Sequence, residues 1–111
     1  MSIYGNPVAL GGGLKITNLF TSAAGATSGE LTDSVLNYKL VLIECTVYTG
    51  GKTWKNTQLY SHDIIAEAVN NGVRVGAAND NAYCWIEFSS ATAFSRVVGT
   101  TLTVQYIWGI N

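Results

Sequence analysis

Hydrophobic positions along this chain fall into short runs that alternate with polar ones, and the densest run lies near the middle. Tyr38-Lys39-Leu40-Val41-Leu42-Ile43-Glu44-Cys45-Thr46-Val47-Tyr48 opens with consecutive aliphatics and then alternates. That pattern predicts a central strand, buried on both faces at its start, with Val47 inward and Thr46 and Tyr48 facing the other way. A helix is the competing reading, but Val41, Ile43, Thr46 and Val47 would all lose rotamer freedom in one. Gly50-Gly51 then supplies the two positive-φ positions of a tight hairpin turn. The partner strand spans Lys52 to Tyr60, with Thr53, Lys55, Thr57 and Leu59 on one face and Trp54, Asn56, Gln58 and Tyr60 on the other. Neither face is cleanly apolar, so it reads as an edge strand.

The remaining chain follows the same period. Lys15 to Phe20 predicts a first strand, Thr21 to Gly29 a loop, and Glu30 to Val35 a short edge strand or turn. Val73 to Ala78 alternates and ends at the turn cluster Asn79-Asp80-Asn81. Ala82 to Ser89 puts Cys84, Ile86 and Phe88 on one face and Tyr83, Trp85 and Glu87 on the other, and Ala93 to Val98 is a further short strand. Thr101 to Ile110 closes the chain, with Leu102, Val104, Tyr106 and Trp108 opposed to Thr103, Gln105 and Ile107. Residues 61–71 are ambiguous. Asp63 could cap a helix carrying Ile64, Ile65, Ala68 and Val69 with Gly72 past its end, but the strand-like flanks favour a strand end followed by a loop. Seven or eight short strands predict an all-β fold, an antiparallel, jelly-roll-like β-sandwich over residues 15–111. Residues 1–14, with Asn6-Pro7 and Gly11-Gly12-Gly13, read as an extended Gly-rich arm.

Composition adds a constraint. Of 111 residues only 12% are charged, about half the usual share. A surface so short of charge is expected to be covered in part, most simply by self-association or by a larger assembly. Six basic residues are scattered and the net charge is −1, which argues against nucleic acid. No apolar run approaches a membrane span of ~20 residues, and the N-terminus lacks the features of a signal peptide. The expected product is soluble and made in a cytoplasm. Cys45 and Cys84 read as two buried thiols, with a cross-sheet disulfide as the alternative.

Motifs for chemistry are sparse. Ser61, His62 and Asp63 are sequence neighbours, which seldom converge as a nucleophile triad. One His and two strand-borne Cys do not form a metal site, so neither cofactor nor metal is expected. Glu44 and Glu87 stand within apolar strands; a facing glycosidase-like pair is less favoured than two solvent-facing positions, so no enzymatic activity is expected. Aromatic side chains are the functional lead. Trp54, Tyr60, Tyr83 and Trp85 lie on faces without other apolar residues, beside Asn and Gln, a combination suited to sugar stacking or to a protein interface.

Leu19-Phe20-Thr21, a small polar loop, and Asn37-Tyr38-Lys39-Leu40-Val41-Leu42-Ile43-Glu44 together resemble a pattern of small domains in bacteriophage tail and baseplate proteins. Thr103-Val104-Gln105-Tyr106-Ile107-Trp108-Gly109-Ile110 is similar to the closing strand of that family, and Tyr4-Gly5-Asn6-Pro7 followed by glycines is similar to its openings. The resemblance implies a virion β-sandwich head, structural or receptor-binding, usually a homotrimer, with other tail or baseplate proteins and a host surface glycan as partners. It fixes no binding residue. A stand-alone carbohydrate-binding module on Trp54 and Trp85 is the alternative.

Overall fold

The computed structural model describes residues 13–76, 85–97 and 101–111. Its elements are β1 (Ile16–Ala26), β2 (Ser28–Glu30), a 3₁₀ turn (Val35–Asn37), β3 (Leu40–Thr49), β4 (Lys52–Ser61), α1 (His62–Asn71), β5 (Trp85–Ser90), β6 (Ala93–Val97) and β7 (Thr101–Ile110). The fold is therefore mostly β. All strand pairs are antiparallel, in a four-stranded sheet of order β1-β7-β3-β4 and a three-stranded sheet of order β2-β6-β5. The expected arm lies almost wholly outside the described residues. The pairing of β1 with β7 extends to Lys15, which exchanges backbone hydrogen bonds of 2.7 and 2.9 Å with Asn111.

β3 sits inside the larger sheet, as its apolar run predicts. Val41, Ile43, Cys45 and Val47 point into a core that they share with Leu102, Val104 and Ile107 of β7, Ile86 and Phe88 of β5, and Phe94 of β6. Phe20 and Phe94 tie the two sheets together edge to face, with ring centroids 4.9 Å apart. The hairpin forms through Gly50 (φ +60°) and Gly51 (φ +76°), and β4 pairs with β3 over ten consecutive residues without a bulge. Exposure of nearly every β4 residue agrees with an edge strand. Ile86 and Phe88 are buried and Glu87 exposed, as the alternation in β5 requires.

Four expectations fail, the first being the strand at Val73 to Ala78, whose described part, residues 73–76, makes only an isolated bridge from Val75 to Ile86. Residues 62–71 are an α-helix, not a strand end and loop. Ser61, not Asp63, caps it by accepting a 3.4 Å bond from the Ile64 N–H, and Gly72 closes it in the left-handed region at φ +71°. The helix wins because one face, Ile65, Ala68 and Val69, packs on the core while Ile64 stays outside. The expected loop at 21–29 is largely strand, since β1 runs on to Ala26 and β2 begins at Ser28. Finally, the period of β7 breaks. Against β3, Val104 pairs with Cys45 and Tyr106 with Glu44, leaving Gln105 as an extra residue. That bulge reverses the faces beyond it, so Ile107 enters the core while Tyr106 and Trp108 turn outward with Leu42 and Glu44.

Candidate functional site

The outward side of the four-stranded sheet is assembled by register. Leu42 is flanked by Trp108 on β7 and Leu59 on β4, Glu44 by Tyr106 and Thr57, and Leu40 by Ile110 and Ser61. On the other side of β7, Asn18 pairs with Trp108 and Thr21 with Tyr106. Residues directly opposite in a sheet share a face, so an aliphatic and aromatic area is framed by Asn18, Thr21, Glu44 and Thr57. The Tyr106 and Trp108 rings lie nearly parallel, 12° apart in plane with centroids at 5.0 Å. Both are half-buried, Leu42 and Ile110 on the same side are buried, and Leu59 is 47% exposed. Such a surface offers ring area for apolar C–H groups and hydroxyl, amide and carboxylate partners at its margin.

Sequence reasoning missed this pair because it carried strict alternation through Gln105. A signal was present. Leu102, Val104, Ile107 and Ile110 are spaced two, three and three apart, and the first step of three marks a bulge. At the bulge, Gln105 is only 7% exposed; its Nε2 donates to Thr103 Oγ1 at 3.1 Å, while Oε1 has no partner among the described residues. β1 widens to match, placing Ser22 to Gly25 against Gln105 alone. Gly25 is required there: its φ is +88°, and a Cβ would stand 2.5 Å from Thr103 Oγ1 and 2.9 Å from Gln105 Nε2.

The aromatic residues singled out from sequence do not form one platform. Trp54 pairs with Val47 and Tyr60 with Val41, both on the inward side of β4 and six residues apart, about 20 Å along the strand. Trp54 is 45% exposed, with the Lys52 ammonium 6.0 Å from its ring centre. Tyr60 is structural. Its hydroxyl donates to Gln58 Oε1 at 2.7 Å and accepts the Gly76 N–H at 2.8 Å, and burial pushes its pKa up. Trp85 alternates with core residues and so faces away from the core, with the Arg74 guanidinium 3.8 Å above its ring. Tyr83 and Cys84 lie outside the described residues; Cys45 is buried.

Glu44 and Glu87 occupy outward positions on different sheets, so the described geometry does not make them a facing pair. Ser61 is occupied as the helix cap. His62 Nε2 lies 3.1 Å from the Leu36 carbonyl oxygen, and its Nδ1 is 3.8 Å from Asp63. These contacts place His62 beside an open cleft of about 350 Å³ lined by Leu36, Asn37, Tyr38, Lys39, His62 and Asn111. Asn111 braces that cleft, accepting from the Lys39 N–H at 3.1 Å and donating to the Asn37 carbonyl at 3.2 Å. Beside it, Asp33 accepts from Tyr38 Oη (2.9 Å), the Ser34 N–H (2.8 Å) and Asn37 Nδ2 (3.0 Å). The Tyr38 bond, followed by that from Ser34, holds the Asp33 pKa below its ordinary value, whereas burial and then Asp33 raise that of Tyr38. No group of three or more His, Cys, Asp or Glu converges as a metal site among the described residues. Nor is any described helix long and apolar enough to cross a membrane. The chain matches no protein-family model and no curated protein sequence.

Proposed function

We propose that this chain is a non-catalytic binding and assembly module, a jelly-roll-like β-sandwich of a bacteriophage tail, fibre or baseplate that self-associates and contacts a host surface glycan. The observation that carries the binding half is the parallel Tyr106–Trp108 pair on the outward side of the β1-β7-β3-β4 sheet, among Leu59, Thr57, Glu44 and Asn18. Sugar rings present C–H groups on one face and hydroxyls at the rim, and this surface has the complementary order. The tail assignment is supported by the resemblance, whose residues Leu19, Val41, Ile43 and Ile107 also build the core. A charged share of only 12% fits a chain that works inside an assembly.

A polysaccharide array printed with bacterial cell-wall and capsular glycans tests the binding half. Tyr106→Ala and Trp108→Ala should each weaken an observed interaction about tenfold, corresponding to ~1.4 kcal/mol of lost ring contact. Trp54→Ala should leave it intact. Binding that survives both β7 substitutions, or that depends on Trp54 instead, removes the basis for this site.

A further inference from the structure

Among the described residues β4 is the outermost strand of its sheet, and no described strand pairs with its outer edge. Which of its backbone groups face outward follows from the turn. Positive φ at both Gly50 and Gly51 makes a type I′ hairpin, whose closing hydrogen bond joins Thr49 and Lys52. Alternation then directs even-numbered β4 residues toward β3, and the His62 N–H to Lys39 carbonyl bond of 2.9 Å continues the series. The N–H and C=O groups of Thr53, Lys55, Thr57 and Leu59, and the N–H of Ser61, therefore point away from the sheet. These five residues are exposed, and no described strand lies beyond them. The strand is ten residues long and carries neither proline nor bulge, so that of the devices that blunt natural edges it has only the exposed Lys52 and Lys55.

We propose that β4 pairs antiparallel with β4 of a second copy of this chain, about a two-fold axis at Thr57, so that two four-stranded sheets become one. Two-fold pairing brings a residue opposite one on the same face only in registers centred on a residue, and centring on Thr57 suits this sequence. Thr57 faces its own copy, Lys55 faces Leu59, Thr53 faces Ser61, and on the inward side Trp54 faces Tyr60. Centring on Asn56 instead sets Trp54 against Gln58 and brings the two Lys55 side chains closer together. Five facing pairs give roughly eight backbone bonds, the Ser61 carbonyl being taken by the first turn of α1, and that number falls within the range of an ordinary protein interface. This symmetry is two-fold rather than the three-fold that the resemblance implies. It also sets two copies of the Tyr106–Trp108 surface on one continuous sheet, where a repeating glycan could engage both. The pairing does not depend on glycan recognition.

Sedimentation equilibrium across loadings of about 5 to 500 µM tests the pairing, with a micromolar dissociation constant expected for so narrow an interface. The wild-type chain should reach twice its 11.8 kDa mass. Thr57→Pro removes an N–H that points away from β3, so it should keep the far-UV spectrum while weakening the dimer at least about thirtyfold. Should that variant fail to fold, Thr57→Lys decides, because it sets two ammonium groups against each other on the axis. It should weaken the dimer about fivefold at low salt and less at high salt. A wild-type monomer at every loading, a trimer, or a dimer untouched by both substitutions overturns the proposal.

Discussion

Replacing Gly109 by alanine should unfold this protein more readily than its small size suggests. In an open strand position the change would stabilise by ~0.4–1 kcal/mol, because alanine narrows the unfolded ensemble. Here the sign reverses. Gly109 lies in β7, paired with Thr17 on one side and Val41 on the other, so its backbone is fixed by two neighbours. An added Cβ would stand 2.4 Å from both Cγ and Cδ1 of Tyr38, a distance that real Cβ contacts do not reach. Tyr38 cannot easily yield, because its ring is buried and its hydroxyl is held by Asp33. Overpacking of this kind costs about 1–3 kcal/mol, and any shift of the ring also disturbs the Tyr38 hydroxyl's bond to Asp33. A net loss near 2 kcal/mol corresponds to a fall in Tm of roughly 8 °C for a chain of this length. Urea and thermal denaturation of Gly109→Ala, Tyr38→Ala and the double variant measure it. The two changes should be strongly non-additive, since removing the ring removes the clash. A Gly109→Ala protein as stable as wild type, or additive losses in the cycle, would refute the steric argument.

Other consequences are simpler to state. Because Asp33 is depressed by Tyr38 and Ser34, it contributes stability that is complete above its unfolded pKa of about 3.9 and is lost as pH falls through the lower folded value. Asp33→Asn should flatten the acid side of a stability–pH profile, and an unchanged slope would count against the network. Gly25→Ala should destabilise by roughly 2 kcal/mol through its left-handed φ and the clash with Thr103, read from urea midpoints. Gln105→Met should be neutral or stabilising by about 1 kcal/mol, because it removes a buried amide whose Oε1 has no partner among the described residues. Ser61→Ala should cost about 1 kcal/mol through loss of the cap on α1, visible as a lower Tm.

Much of the fold was legible wherever local chemistry decides. The β3 run, the Gly50-Gly51 turn and the faces of β5 rest on a period of two and on positive φ, and neighbouring residues suffice to specify both. What escaped depends on distant partners. Ser22 to Gly25 are small and polar enough to pass for a loop, and they become strand only because β7 offers a template. Residues 62–71 carry both caps of a helix, yet Ile64-Ile65 following Leu59 and Tyr60 also reads as the end of a strand. Only packing of Ile65 and Ala68 on the core separates the two. The candidate face on β7 was hidden for a related reason. One extra residue at Gln105 exchanges inside for outside over the rest of β7, so the aromatic pair expected on the face of Leu102 and Val104 lies on the opposite one, while Tyr60 is held by its own hydrogen bonds.

The most direct test of the proposed site is a titration of the ¹⁵N-labelled protein with the surface polysaccharide it binds best, followed by backbone and indole N–H shifts. Shifts concentrated at Trp108, Tyr106, Glu44, Leu59 and Asn18, with the Trp108 indole most affected, are the predicted result. Shifts centred on Trp54 or on the outward side of β5 and β6, with β7 silent, would contradict it.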